Sequence, residues 1–180
     1  MQKTPTRRRA AALQLLAVAT MFVFSGPISA TDAEDRFLIM ELMDRYGVVH
    51  DFGTPEEYAD LFTADGEIGT RIKGRDALIA QAKRDHERFS APPGPDGKVS
   101  SIMRHIISNR VVKLTGPDTA EGGCYVITMI NDKKDGPLVM SMSRYVDRYA
   151  RTKDGWRIAH RDIVIETGNQ EIGKRFGFVR

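Results

Sequence analysis

The chain has 180 residues with 27 Lys+Arg, 24 Asp+Glu and a formal charge of +3. Residues 1–30 hold four of those cations and no acid, so the remainder carries 23 cations against 24 acids, a net of −1. That balance gives no clustered basic excess for nucleic acid, and the single Cys124 excludes an internal disulfide or a cysteine-ligated metal site. The first thirty residues run Lys3, Arg7, Arg8 and Arg9, an apolar stretch from Ala10 to Phe24, then Ser25 to Ala30. This order predicts a secretory signal cleaved after Ile28-Ser29-Ala30. The apolar run is shorter than the ~20 residues of a spanning helix. The chain is therefore expected in the periplasm or medium, with no stable membrane anchor after cleavage; Thr6-Arg7-Arg8 also fits twin-arginine export.

The expected domain covers 31–168, followed by a loose tail over 169–180. The spacing predicts a helix from Thr31 to Val49, with Leu38, Leu42, Tyr46 and Val49 on one face, and places Asp51 in the loop beyond it. Thr54-Pro55-Glu56-Glu57 reads as a capping box with proline in the first turn. It starts a helix carrying Tyr58, Leu61 and Phe62 inward and stopping at Ala64-Asp65-Gly66. Glu67 to Ile72 is an edge strand. Asp76 to Phe89 is a helix whose far end, Lys83 to Arg88, reads as a solvated face including His86. The Pro/Gly stretch 91–97 is a loop and a possible lid.

Four β-rich runs follow, Ser101 to Leu114, Thr119 to Ile130, Leu138 to Arg151 and Trp156 to Glu166, separated by turn-formers. Helices first and an antiparallel meander after is an α+β order, with N-terminal helices packed on a curved, mostly antiparallel sheet. Period-two alternation puts Met103, His105, Ile107, Asn109 and Val111 on one largely apolar face. A neutral imidazole there can take a proton if its other nitrogen is held, and Asp51 is the candidate holder. Equally, His105 can be a satisfied core group and Asp51 a turn cap. Asn109 either donates to a substrate oxygen or satisfies buried backbone, and Tyr46 either belongs to the core or donates to an oxyanion. His50 is read as surface or pocket rim. Tyr125, Met129 and Met142 are candidate pocket wall together with Met140 and Tyr145, methionine being adaptable to apolar ligands. Arg144, Asp147, Arg157 and Arg161 read as ion pairs on the sheet surface or at a dimer contact. No His-x-His, HExxH, glycine-rich phosphate loop or G-x-S-x-G is present, so neither metal nor cofactor is expected.

Arg45-Tyr46, Asp51-Phe52-Gly53, Leu61-Phe62, Asp65-Gly66, Gly74-Arg75-Asp76-Ala77, Arg104-His105, Asn109, Arg144-Tyr145-Val146-Asp147 and Gly155-Trp156-Arg157-Ile158 together resemble the SnoaL-like group of the nuclear transport factor 2-like superfamily, over Asp35 to Glu166. The resemblance implies a cone-shaped α+β barrel around an apolar pocket, often in a homodimer or higher homo-oligomer. Scytalone dehydratase, hexachlorocyclohexane dehydrochlorinase, ketosteroid isomerase, polyketide cyclases and many non-catalytic binders share that fold. In the dehydratase and dehydrochlorinase an acid after the first helix pairs with a strand histidine, which implies Asp51 and His105 as the catalytic pair. The second histidine of scytalone dehydratase has no counterpart in Tyr125 to Ile130. Tyr46 matches the oxyanion tyrosine of ketosteroid isomerase, but that enzyme's proton-transferring acid would fall near Gly69 or Thr70, neither acidic. The implied function is a cofactor-independent lyase or isomerase, dehydratase-like, acting on a small apolar or polycyclic molecule. The alternatives are a small-ligand binder of the same fold and an oligomerisation module.

Overall fold

The computed structural model describes residues 30–91, 95 and 101–176. The expected signal segment, and most of the 91–97 stretch read as a loop and lid, lie outside the described residues. In chain order the elements are α1 (Ala30–Phe52), α2 (Pro55–Ala59), β1 (Phe62–Ile68), β2 (Ile72–Lys73), α3 (Arg75–Arg88), β3 (Met103–Gly116), β4 (Thr119–Asp132), β5 (Gly136–Thr152), β6 (Gly155–Gly168) and α4 (Gln170–Arg175). The six strands form one curved, unclosed sheet in the order β2-β1-β6-β5-β4-β3. Every pairing is antiparallel except β1 with β6. The helices lie on one face of this sheet, giving the expected α+β architecture.

Helix α1 buries Ile39, Leu42, Met43, Tyr46 and His50, a stripe recurring at three- and four-residue steps. Leu38, assigned to that stripe from the sequence, is 40% exposed. At Gly47 the helix crosses β3 so closely that a β-carbon would stand 3.2 Å from Ile107 Cδ1 and 3.4 Å from the His105 carbonyl oxygen. The helix also runs further than Val49. Asp51 lies in its last turn rather than in a loop, which keeps the side chain on the sheet side.

The capping box forms as read. Thr54 Oγ1 accepts from the Glu57 amide at 3.1 Å, and Glu57 Oε2 accepts from the Thr54 amide at 2.7 Å. Helix α2 is nevertheless only five residues long, and Ala64-Asp65-Gly66 sits inside β1 instead of ending a helix. The β1–β6 register shifts between Phe62 and Glu67, and a β-carbon on Gly66 would come within 3.0 Å of the Ile158 carbonyl oxygen. Turn-forming residues serve here as a strand irregularity with a close backbone approach. The tail also departs from expectation. Asn169 accepts from the amides of Glu171 and Ile172 and caps α4, whose Ile172 packs into a second apolar cluster with Phe89, Met103, Ile130 and Met140.

The largest correction concerns Asp147 and Arg161, read from the sequence as surface or dimer charges. They face each other across β5 and β6 inside the main core, each side chain fully buried. Arg161 Nε and Nη2 donate to the two Asp147 oxygens at 2.8 and 2.6 Å, and the Tyr149 hydroxyl donates to Asp147 Oδ2. The guanidinium stands 4.0 Å from the ring centroids of both Tyr46 and Tyr145, a geometry suited to cation–π attraction in a dry setting. Arg144, by contrast, is an exposed partner of Glu166. Removing one member of a buried pair strands a charge and costs ~3–5 kcal/mol, whereas replacing both by apolar residues costs far less. Urea denaturation of Asp147→Ala should therefore show a loss of that size, with Asp147→Leu/Arg161→Met recovering most of it. Equal losses in the single and double variants would contradict the assignment.

Candidate functional site

Between the helices and the concave sheet lies a cavity of about 360 Å³. Tyr46 and His50 of α1, Gln81 and Asp85 of α3, His105 of β3, and Thr128, Ser141, Ser143 and Tyr145 of the central strands supply its polar lining. Val126, Met103, Met140, Ile163, Ile165 and Phe89 supply its apolar wall, and Asn169 adds a further polar group at the end of β6. His105 pairs in register with Thr128, and Thr128 with Ser141, so three polar residues form a row across three strands.

Asp51 and His105 meet. The His105 ring donates through Nδ1 to Asp51 Oδ1 at 2.7 Å, and the His105 backbone amide donates to Asp51 Oδ2 at 2.8 Å. Their side chains are 4% and 8% exposed respectively. Both carboxylate oxygens are thus committed to one residue, which holds the ring's orientation; in the neutral imidazole this contact places the proton on Nδ1 and the lone pair on Nε2. His105 lines the cavity, whereas Asp51 stands behind it. The Tyr46 hydroxyl also reaches the site region, 3.0 Å from the Tyr58 hydroxyl, and burial pushes the pKa of both phenols up.

Four of the other expected wall residues do not reach the cavity. Asn109 adopts a left-handed backbone (φ 52°) at a bulge where the β3–β4 pairing jumps from Ser108↔Tyr125 to Val111↔Gly123. Two residues on β3 then oppose one on β4, and the alternation inverts. Val112 and Leu114 turn inward, while Asn109 and Val111 turn out. On β4 and β5, Cys124, Val126, Thr128 and Ile130 and then Met140, Ser143 and Tyr145 take the buried face. This leaves Tyr125 55% and Met142 46% exposed, and Met129 half-buried away from the cavity.

In their place the structure supplies a second pair. His50 is buried, its ring 4.6 Å from that of His105 in an edge-to-face arrangement, and its Nε2 lies 3.4 Å from Asp85 Oδ2. Gln81 Nε2 donates to the same Asp85 oxygen at 2.7 Å. His86 was read as solvated, yet its Nε2 contacts the His50 carbonyl oxygen at 2.9 Å. Burial pushes the His50 pKa below the imidazole range. Burial alone would raise Asp85, but hydrogen bonds from His50 and Gln81 outweigh it, and the pKa lies below the usual carboxylate value. The sequence did carry the signal. Leu78, Ala82, Asp85 and Phe89 share one face of α3, and His50 stands one turn beyond Tyr46.

His50, Asp51 and His105 present nitrogen and oxygen atoms all within 4.8 Å of one another, a set of ligand types that a cation can use. The 2.7 Å separation of His105 Nδ1 from Asp51 Oδ1 is a hydrogen-bond distance, so these two atoms are engaged with each other and Nε2 is the His105 atom left to a ligand. The geometry is that of an oriented base.

The family model for the SnoaL-like domain matches residues 31–162, most of the described fold. The chain belongs to the SnoaL-like domain family. No curated protein matches it. Among solved structures, this SnoaL-like protein is similar to an NTF2-like protein with a cystatin-like fold from Novosphingobium aromaticivorans, at 24% identity and a TM-score of 0.64 over 84% of this chain and 98% of that one. A candidate scytalone dehydratase from the same organism aligns at 20% identity and TM-score 0.62, over 77% and 89% of the two chains. A Catenulispora acidiphila protein solved in complex with S-DNPA aligns at 23% identity and TM-score 0.59, over 74% and 95%. At these identities the neighbours establish the fold alone.

The shifted pair gives a pH dependence. His50 binds its proton less readily folded than unfolded, so below about pH 6.5 the unfolded chain gains protons first and stability falls. Asp85, also lowered, adds stability that is present above the ordinary carboxylate pKa and is lost as pH falls through its folded value. The thermal midpoint of wild type should drop between pH 7 and 5, and His50→Gln should flatten that drop. Parallel curves for the two proteins would contradict it.

Proposed function

We propose that this protein is a cofactor-independent lyase or isomerase of the dehydratase type, in which His105 is the general base. The observation that carries this reading is the 2.7 Å Asp51–His105 contact behind a ring whose Nε2 is left free at an apolar cavity. Nε2 takes a proton from a carbon beside a carbonyl, and the C–H electron pair moves into the enolate. Asp51 stabilises the imidazolium as it forms. The hydroxyls of Thr128 and Ser143 lie on the cavity wall and suit the developing oxyanion. For elimination, the enolate expels a hydroxyl on the next carbon, which leaves as water with the proton held on His105. For isomerisation, the same proton returns to a different carbon. Either route restores neutral His105 without metal or redox cofactor.

Aliphatic and aromatic walls around a few polar groups suit a mono- or bicyclic substrate. The reading includes export, supported by the order of charge, apolar run and small residues in 1–30, and self-association. The outer sheet face exposes Val111, Tyr125, Val139 and Val146, an apolar patch that suits a partner surface. The N-terminal mass and sedimentation of the exported protein check both.

Proton abstraction can be read without knowing the natural leaving group. Bicyclic β-hydroxy ketones incubated with the protein in D₂O should gain deuterium at the α-carbon, and some should lose water. General-base catalysis contributes ~10²–10⁴-fold, so His105→Ala should lose exchange by about that factor and Asp51→Asn by a smaller one. Exchange unchanged in His105→Ala ends the proposal. Tight ligand retention with no exchange in wild type favours a binder.

A further inference from the structure

The general base accounts for one side of the cavity and leaves the Asp85 carboxylate unexplained. Asp85 is 8% exposed and lines the cavity. Both side-chain contacts it makes, from Gln81 Nε2 and His50 Nε2, go to Oδ2. Oδ1 makes no hydrogen bond among the described residues. With one oxygen held by two supports, the other is the oxygen left open to a donor from whatever fills the cavity. Among the described residues no Lys or Arg lines the cavity, the buried Arg161 is taken up by Asp147, and Arg88, further along α3, acts on Asp85 through its charge from outside the lining. His50 is held neutral by its burial and adds no compensating charge. Asp51 brings a second carboxylate behind His105. The field inside the cavity therefore repels anions and favours a donor or a positive group.

We propose that Asp85 Oδ1 anchors a hydrogen-bond donor on the substrate, a hydroxyl or an ammonium, and that the substrate carries no carboxylate or phosphate. This deepens the function proposed above and rests on the cavity being the substrate site. His50 and Gln81 are then positioning residues for Asp85, as Asp51 is for His105. The substrate is gripped at its donor by α3 while the acidic C–H faces β3, and the His50 ring stands between the two contacts.

Matched naphthalene probes separate this from simple apolar filling: 2-naphthol, 2-naphthylmethylammonium, 2-methoxynaphthalene and 2-naphthoate, titrated by calorimetry into wild type, Asp85→Asn and Asp85→Ser. Hydrogen bonds to a charged acceptor correspond to about tenfold or more in affinity. A donor probe should therefore bind wild type about tenfold or more tighter than the ether, and lose that advantage in both variants while ether binding stays constant. The unchanged ether affinity also shows that the cavity is intact. Preference for naphthol assigns an alcohol or phenol; preference for the ammonium probe assigns an amine. Equal binding of donor probes and ether, a donor preference that survives both substitutions, or binding of naphthoate as tight as naphthol overturns the proposal. Because these affinities need no turnover, their failure leaves the His105 base standing, and loss of exchange activity with an intact donor preference does the reverse.

Discussion

The site depends on one contact, the carboxylate of Asp51 against the ring and backbone of His105. That contact ties the last turn of α1 to the start of β3, and it exists because α1 lies on β3 at glycine distance. With any sizeable side chain at Gly47 the helix would stand further off the strand, and Asp51, one turn on, would lose its reach. Anchored by Ile39, Leu42, Met43 and Tyr46, the helix buries enough apolar surface to hold a carboxylate where it would otherwise be expelled into water. The stability of the core and the orientation of the imidazole are two consequences of the same packing.

Polar groups inside this molecule come in supported sets, and the sets differ in kind. Asp147 and Arg161 neutralise each other and use tyrosine rings as walls, which makes them structural and closed. Asp51 with His105, and Asp85 with His50, combine a carboxylate with an imidazole, and each set leaves an atom open at the cavity. The one unbonded atom of the ion pair, Arg161 Nη1, is buried and Arg161 does not line the cavity, whereas each dyad presents its open atom there. That difference separates the two dyads from the ion pair more clearly than burial, which all of them share.

Much of this was legible in the residues. The capping box at Thr54 and the four-strand meander follow from local chemistry and period, while the meeting of Asp51 and His105 was what the family resemblance implied. What escaped was set by register and by tertiary override. A single left-handed residue, Asn109, inverts the faces of β3 beyond Ile107, and alternation counted from His105 cannot see it, although asparagine is among the few residues that tolerate that backbone. The buried stripe of α1 is centred one position from the Leu38 stripe, enough to turn His50 inward. Asp85 stands in a run of charges that looks solvated until its face is shared out with Leu78, Ala82 and Phe89. Asp147 and Arg161 look like any exposed strand charges, since each is buried only because the other stands directly opposite on the neighbouring strand, a partner distant in sequence.

All of the proposed chemistry requires His105 to present an unprotonated Nε2 while Asp51 holds a proton on Nδ1. The direct measurement is the long-range ¹H–¹⁵N correlation spectrum of the folded protein at neutral pH. The expected pattern for His105 is a protonated, pyrrole-like Nδ1 and a pyridine-like Nε2, with the preference lost in Asp51→Ala. A His105 with its proton on Nε2, or a tautomer pattern indifferent to Asp51, would contradict the account.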